Sequence, residues 1–384
     1  MTIPHVNLLS SCFQAEYEIG FSRGLFLNGL SVTVLGSNDS EKNRLEDEIE
    51  FINIRGNQNS NRSKFEKILN IILYLKKYCL LGLKRRNDIF HTIGLFVVRG
   101  GFGALIEALI QRVFFKKWWL TVHNIMPHDA HNRINHWVSY IIYRLPNHLF
   151  VHTDRMREQL INDYKLKSKN ITVIEHGIDN FIDIDPQAKH KLFKHLKIEN
   201  FSKIFFQFGY ISHYKGLDIF LESLSKINVP SDVLFLIFGK CQNTQLRKTL
   251  QTEISLLIET GKNVLWLDQY ISTDLVKIAL AATDYLILPY RHIDQSGVIF
   301  SAKSAGLPII ASDVGAFRNY IDVSDCLVPP ESSLDLAKAI LEKIHTTDQP
   351  NRSDLLKNAR ERYEWKITLK PYVSLVHSEY KHTL

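Results

Sequence analysis

Short apolar runs rich in valine, isoleucine and leucine alternate along this chain with longer stretches of helical periodicity. Val6–Leu9 reads as a strand, Glu18–Leu27 as a helix, Asn28-Gly29 as a break and Ser31–Leu35 as a β-branched strand. The same beat runs through the strand Ile89–His91, a helix near Ala104–Phe115, the strand Trp118–Val122, the helix Trp137–Arg144 and the strand His148–His152. The helix Arg155–Tyr164 and the strand Ile171–Ile174 close the first half. Alternation of this kind implies parallel strands joined by crossover helices.

Periodicity weakens over Asp179–Asn200, which predicts an inter-domain connection with one lead-in helix. The alternation then restarts, with strands expected at Lys203–Phe208, Val233–Phe238, Val264–Leu267, Tyr285–Leu288 and Pro308–Ala311. Between them fall helices at Leu217–Leu224, Gln245–Glu259, Asp274–Ala281 and Ser296–Ser304, the third capped by Ser272. Helices are expected to fill most of the chain after Pro329-Pro330. The economical reading is an α/β protein of two Rossmann-like, doubly wound domains facing each other across a cleft.

Composition narrows the picture. A chain of 384 residues suits two domains, and 45% hydrophobic with 23% charged residues is ordinary globular material. The net charge of +7 favours anionic partners, among them nucleotide diphosphates and acidic lipid headgroups. Cys12, Cys79, Cys241 and Cys326 lie far apart, which argues against zinc and fits a reducing compartment. The first residues lack the pattern of a signal peptide, and the most apolar window, Phe65–Leu83, is broken by Lys67, Lys76 and Lys77. A cytoplasmic protein is expected, with any membrane contact made peripherally, on the inner face of the plasma membrane.

Several motifs stand in a telling order. Phe208-Gly209-Tyr210-Ile211-Ser212-His213-Tyr214-Lys215-Gly216 follows one strand. Tyr285–Arg291, Ser296-Gly297-Val298 and Ala305-Gly306-Leu307-Pro308 follow later, then Gly315. Upstream lie Thr121-Val122-His123-Asn124 with Pro127-His128, and Glu175-His176-Gly177-Ile178-Asp179. Together these resemble the family 4 glycosyltransferases of the GT-B fold, most closely over about residues 171–345. The resemblance implies an N-terminal acceptor domain over 1–180, with 366–384 returning onto it, and a nucleotide-sugar donor domain over 181–365. Trp365 and Tyr372 resemble part of that return segment. The chain departs from the family at its paired glutamates, with Ile293 and Ser301 at those positions, and at Tyr210, where an arginine is common. In this it also resembles bacterial exopolysaccharide transferases that lack the pair.

The implied reaction moves a hexose from a nucleoside diphosphate, UDP or GDP, to a glycan or lipid-linked acceptor without a metal or other cofactor. A departing diphosphate needs its charge neutralised, which a basic side chain and helix N-termini can do. Lys215 and His213 are assigned to the diphosphate, with Lys215 opening a helix and Gly216 letting the backbone approach the ligand. Gly209 and Ser296-Gly297-Val298 supply backbone N–H groups, and Ser301 stands at the ribose position. Asp294 could hold a sugar hydroxyl or act as a base, and Tyr270 could neighbour the nucleobase or be an ordinary half-buried tyrosine. His123, at the end of a parallel strand, could deprotonate the acceptor alone or with Asp129, since histidine titrates near neutral pH. It could equally contact the donor, or merely satisfy a backbone carbonyl.

Other signals carry less. Asp183-Ile184-Asp185 has metal-site spacing but sits in the connection, and Gly101-Phe102-Gly103 lacks the third glycine of a dinucleotide fingerprint. The basic, apolar-rich stretch Lys64–Arg86 is either a surface element that meets a membrane and a lipid-linked acceptor, or a core helix with a solvated basic end. A catalytically silent relative that binds glycans or partners is the rival reading. Nucleic-acid binding is disfavoured, because the basic residues are dispersed.

Overall fold

The computed structural model describes residues 3–10, 15–59, 61–95, 102–125, 133–178, 180–347 and 350–381. The chain divides into two compact units, Met1–Asp179 with Arg362–Leu384, and Asn180–Glu361. The return to the first unit thus begins at 362, a few residues before the expected 366.

The first unit holds β1 (His5–Leu9), α1 (Ala15–Leu27), β2 (Ser31–Gly36), β3 (Glu50–Asn53), α2 (Lys64–Lys84) and β4 (Ile89–Thr92). It continues with α3 (Phe102–Phe114), β5 (Lys117–Thr121), α4 (Arg133–Ile142), β6 (His148–Val151), α5 (Asp154–Asn162) and β7 (Ile171–Val173). The seven strands form one sheet in the order β3-β2-β1-β4-β5-β6-β7, every pair parallel. Because strand side chains alternate between faces, Leu9, Phe90, Trp118 and Leu149 pack on one side with Tyr74, Ala108 and Val138 of the helices. Leu8, Ile89, Trp119 and Phe150 pack on the other with Phe21, Trp365 and Tyr372.

One element here, β3, is not read from the pattern, and α2 takes up the basic stretch whose reading stood between a membrane-surface element and a core helix. β3 is an edge strand whose Glu50 and Asn53 are exposed, so it shows little apolar signal. α2 is a full helix, opened by a capping box in which Ser63 Oγ accepts from Glu66 N at 3.2 Å and the Glu66 carboxylate accepts from Ser63 N at 2.7 Å. It buries only Tyr74, Tyr78 and Gly82 fully, so the rest of its apolar residues did not have to follow a core-facing period.

The second unit holds α6 (Ala188–Leu196), β8 (Lys203–Phe208), α7 (Leu217–Ser225), β9 (Val233–Phe238), α8 (Thr244–Glu259), β10 (Asn263–Leu267) and α9 (Thr273–Ala282). Then come β11 (Tyr285–Leu288), α10 (Gly297–Ser304), β12 (Ile309–Ser312), β13 (Cys326–Val328) and α11 (Ser333–His345). α12 (Arg352–Tyr363) carries the chain back to the first unit, where α13 (Trp365–Thr368) and α14 (Lys370–Lys381) lie. The six-stranded sheet runs β10-β9-β8-β11-β12-β13, again all parallel. All six residues of β9 are buried, as its unbroken apolar run predicts.

In each sheet the strand order reverses once, between β1 and β4 in the first and between β8 and β11 in the second. Ligands of open parallel sheets bind outside the carboxyl ends of the strands at such a switch point. The loops after β8 and β11 are the ones that hold Lys215 and Ser296.

Candidate functional site

In the second unit the loop after β8 passes through Gly209 (φ +109°) to a short 3-10 turn, His213–Lys215, and then Gly216. Lys215 therefore does not open α7. It precedes it, separated by Gly216 in the left-handed region (φ +65°). Beside its expected role, close backbone approach to a ligand, Gly216 has a packing reason: a Cβ there would run into the Pro289 carbonyl oxygen. Only glycine meets both demands.

The two loops are tied together. Arg291 donates through its guanidinium to the His213 carbonyl at 2.7 Å and grips Asp218 with bonds of 2.9 and 2.7 Å, while its backbone N–H reaches the Tyr214 carbonyl at 2.8 Å. Gln207 Nε2 donates to the Lys215 carbonyl at 3.2 Å. Arg291 and Gln207 escaped sequence reasoning, since neither type carries a signal without its partner.

Lys215 itself is only 6% exposed, and its ammonium lies 5.3 Å over the Tyr290 ring. That ammonium makes no hydrogen bond or ion pair among the described residues. Burial pushes it below the ordinary lysine value, with Tyr214 opposing. A Cβ at Gly209 would stand 2.5 Å from Lys215 Nζ and 3.8 Å from Val298, so glycine there leaves the ammonium open. Ser296 caps α10, its Oγ accepting from Val298 N at 3.3 Å, and nothing lies within 4 Å of a Cβ built on Gly297. The helix start thus opens onto free space. Gly209, Lys215, Gly216 and Val298 are brought together, with Ser296 and Gly297 at the same helix start.

The His213 ring and Tyr210 are exposed. Ser301 Oγ turns back to the Gly297 carbonyl at 3.4 Å. Asp294 accepts from Ala316 N through its backbone carbonyl at 3.2 Å, and its half-buried carboxylate has no partner among the described residues. Tyr270 is 86% exposed and so is not the half-buried tyrosine of the bland expectation. Asp185 accepts from Gln187 N at 2.9 Å just ahead of α6 and pairs with Lys191, a helix-start role.

In the first unit, His123 follows β5, His152 follows β6 and His176 follows β7, with the Tyr17 ring edge-on to all three at centroid distances of 4.8, 5.5 and 5.2 Å. Pro127, His128, Asp129, Asp179, Gly101 and Cys12 lie outside the described residues. His152 Nδ1 lies 3.0 Å from the Ile174 carbonyl, which only accepts, so it carries the proton. Neutral His152 then presents a bare Nε2, with His123 Nδ1 3.2 Å away. His123 Nε2 is buried without a hydrogen bond of ordinary geometry, and the Ile93 backbone beside the ring competes with His152 for the one proton of neutral His123.

The expectation that His123 titrates near neutral pH does not hold. Burial first, then repulsion from His152 and His176, hold it well below the ordinary value, against a weak opposing pull from the Ile93 backbone. Burial likewise puts His152 at about 4 and His176 at about 3. His152 and Tyr17 were missed as site residues. The strand-end rule that singled out His123 applies equally to His152, whereas Tyr17 sits on α1 and no local pattern marks it.

Two doubly wound parallel units, one with a buried lysine and a capped helix start at its switch point, define a class of Rossmann-like proteins. Comparison with known proteins narrows this. A family model described as Glycosyltransferase Family 4 matches residues 19–180, and one described as Glycosyl transferases group 1 matches residues 202–346. The chain is 25% identical over 154 residues to the lipopolysaccharide core biosynthesis mannosyltransferase LpsB of Rhizobium meliloti, covering 39% of this chain and 42% of that one. It is 24% identical over 244 residues to the D-rhamnosyltransferase WbpZ of Pseudomonas aeruginosa, covering 62% and 58%. The chain spans about half the length of the curated relatives it matches. Anabaena HepE, solved with UDP and glucose, shares the fold at a TM-score of 0.75 and 17% identity, covering 98% of this chain and all of that one. The chain belongs to the GT-B glycosyltransferases, its first unit of family 4 type and its second of group 1 type.

Proposed function

We propose that this chain transfers a hexose from a UDP- or GDP-linked donor to a glycan or lipid-linked saccharide in polysaccharide or glycoconjugate biosynthesis. One observation carries the reading: Lys215 is a buried cation with no acidic partner among the described residues, beside a glycine and a helix start that open onto space. A buried charge without a counter-ion is costly, and a pyrophosphate supplies what is missing. As the bond from the sugar carbon to the phosphate oxygen breaks, negative charge grows on the leaving diphosphate. The Lys215 ammonium and the N–H groups behind Ser296 meet that charge. The reading assigns this work to the chain's own residues rather than to a resident metal.

The His123 ring, just past the carboxyl end of β5, is assigned to a sugar hydroxyl. With its proton affinity so depressed, it positions that hydroxyl better than it removes the proton. The mannosyl- and rhamnosyltransferase relatives support a saccharide acceptor, and the UDP and glucose bound to HepE support a nucleotide-sugar donor.

Single-turnover assays over a panel of UDP- and GDP-hexoses, with NMR of the product's anomeric carbon, test the proposal. Transfer from at least one donor, abolished by Lys215→Ala, is expected. Failure to bind UDP and GDP at millimolar concentration would instead favour a catalytically silent glycan-binding protein.

A further inference from the structure

Among the described residues, the first unit concentrates its exposed apolar side chains on three helices. Of the 22 exposed large hydrophobic residues, seven lie on α2, three on α3 and three on α4. These helices are neighbours, α3 packing against both α2 and α4, and all three cover the same face of the sheet. At about 100° per residue, Phe65, Ile72 and Leu83 point away from Tyr74 and Tyr78, which enter the core. Ile106 and Val113 continue the apolar surface on α3, and Trp137, 54% exposed, continues it on α4. Monomeric proteins seldom leave so much contiguous apolar surface to water.

The charge on this surface selects the occupant. α2 carries five lysines and a single glutamate, Glu66, which is engaged in its own capping box. Lys64, Lys76, Lys77 and Lys84 make no ion pair among the described residues, and Lys76 falls within the apolar stripe itself. On α3 the one acid, Glu107, is buried, whereas Arg112 is exposed. Long lysine stems lie along apolar surface and carry their charge to its edge. The side chains spread over three adjacent helices rather than one seam, which suits a broad, flat partner. A second copy of the chain would set two positive faces against each other. Among the described residues no helix is long and apolar enough to cross a membrane, so contact would be made from the surface.

We infer that the α2–α3–α4 face docks onto an anionic lipid bilayer, its apolar side chains entering the headgroup boundary and its lysines meeting acidic headgroups. This inference does not depend on the donor-site reading.

Co-sedimentation of the full chain with vesicles tests it. Vesicles of equal parts phosphatidylcholine and phosphatidylglycerol should bind at least about tenfold more tightly than phosphatidylcholine alone, with the gain lost near about 1 M salt. Neither comparison needs a substitution. Ile72→Asp with Leu80→Asp should leave the protein in the supernatant. Reversing Lys76, Lys77 and Lys84 to glutamate should weaken binding about 100-fold. All five side chains are exposed, so thermal midpoints should hold. Leu256→Asp, on exposed α8 of the other unit, should bind as the wild type does. Equal binding to neutral and anionic vesicles, no binding at all, or binding indifferent to the α2 substitutions would overturn the inference. So would a dimer in solution that Ile72→Asp dissociates, because the face would then belong to a second copy.

Discussion

Replacing Lys215 with methionine separates two roles that one side chain plays. Methionine keeps nearly the same length and volume, so packing around Tyr290 and Gly209 is little disturbed. What disappears is the ammonium of a residue that is 6% exposed, has no acidic partner among the described residues and is pushed down by burial. Burying an ion costs several kcal/mol after relaxation, and water at the open side recovers part of it. Removing the charge should therefore stabilise the ligand-free protein by about 1–3 kcal/mol. At about 2–4 °C per kcal/mol for a unit of this size, the melting midpoint should rise by several degrees.

The pH dependence has a definite sign. The folded lysine binds its proton less tightly than the unfolded one, so wild-type stability climbs as pH rises toward 10.5. The variant should lose that climb. With ligand the effect reverses. A charge-assisted contact to a diphosphate contributes about 1.5–3 kcal/mol, so UDP or GDP should bind roughly 10- to 150-fold more weakly. Thermal melts across pH and calorimetry with both nucleotides read the two halves separately. A variant that melts below the wild type without ligand, or that binds diphosphates unchanged, refutes the reasoning.

Other outcomes follow from the same geometry. His91 and His176 are held at about 3, and His148 and His152 at about 4, all by burial. Their folded values lie below the unfolded 6.5, so the stability they contribute is present above pH 6.5 and drains as pH falls, at about 1.4 kcal/mol per pH unit for each. Melts at neutral pH and near pH 5 should differ by several kcal/mol, and imidazole resonances titrating near 6.5 would contradict the burial argument. Gly216→Ala forces a side chain into a left-handed backbone and against Pro289, at a cost of about 2 kcal/mol or more in denaturant unfolding. Ser296→Ala removes the cap of α10 and should cost about 1 kcal/mol, read in the same way.

Much of this was legible one residue at a time. β9 and β11 match their predicted bounds, Val233–Phe238 and Tyr285–Leu288, because a central strand is apolar throughout. Ser272 and Ser296 mark helix starts as expected, since a cap acts on the next turn of backbone. The edge strands β3 and β13 went unread: half-exposed residues in runs of four and three leave almost no periodic trace. The packing reason for Gly216 was not legible, because the Pro289 carbonyl that excludes a side chain arrives from just past β11, far along the chain.

What the sequence by itself determined is the alternation of strand and helix, the places where it breaks, and the ordered loops that point to a glycosyltransferase. These rest on local backbone preferences and on the period of buried side chains, which a chain displays without its neighbours. Tertiary structure alone decided which ionisable groups lost their water and what stood beside them. It left the Lys215 ammonium without an acid among the described residues, strung His152 to His123, and turned the apolar stripe of α2 outward. Charge, protonation and exposure depend on neighbours distant in the chain, and no local pattern records them.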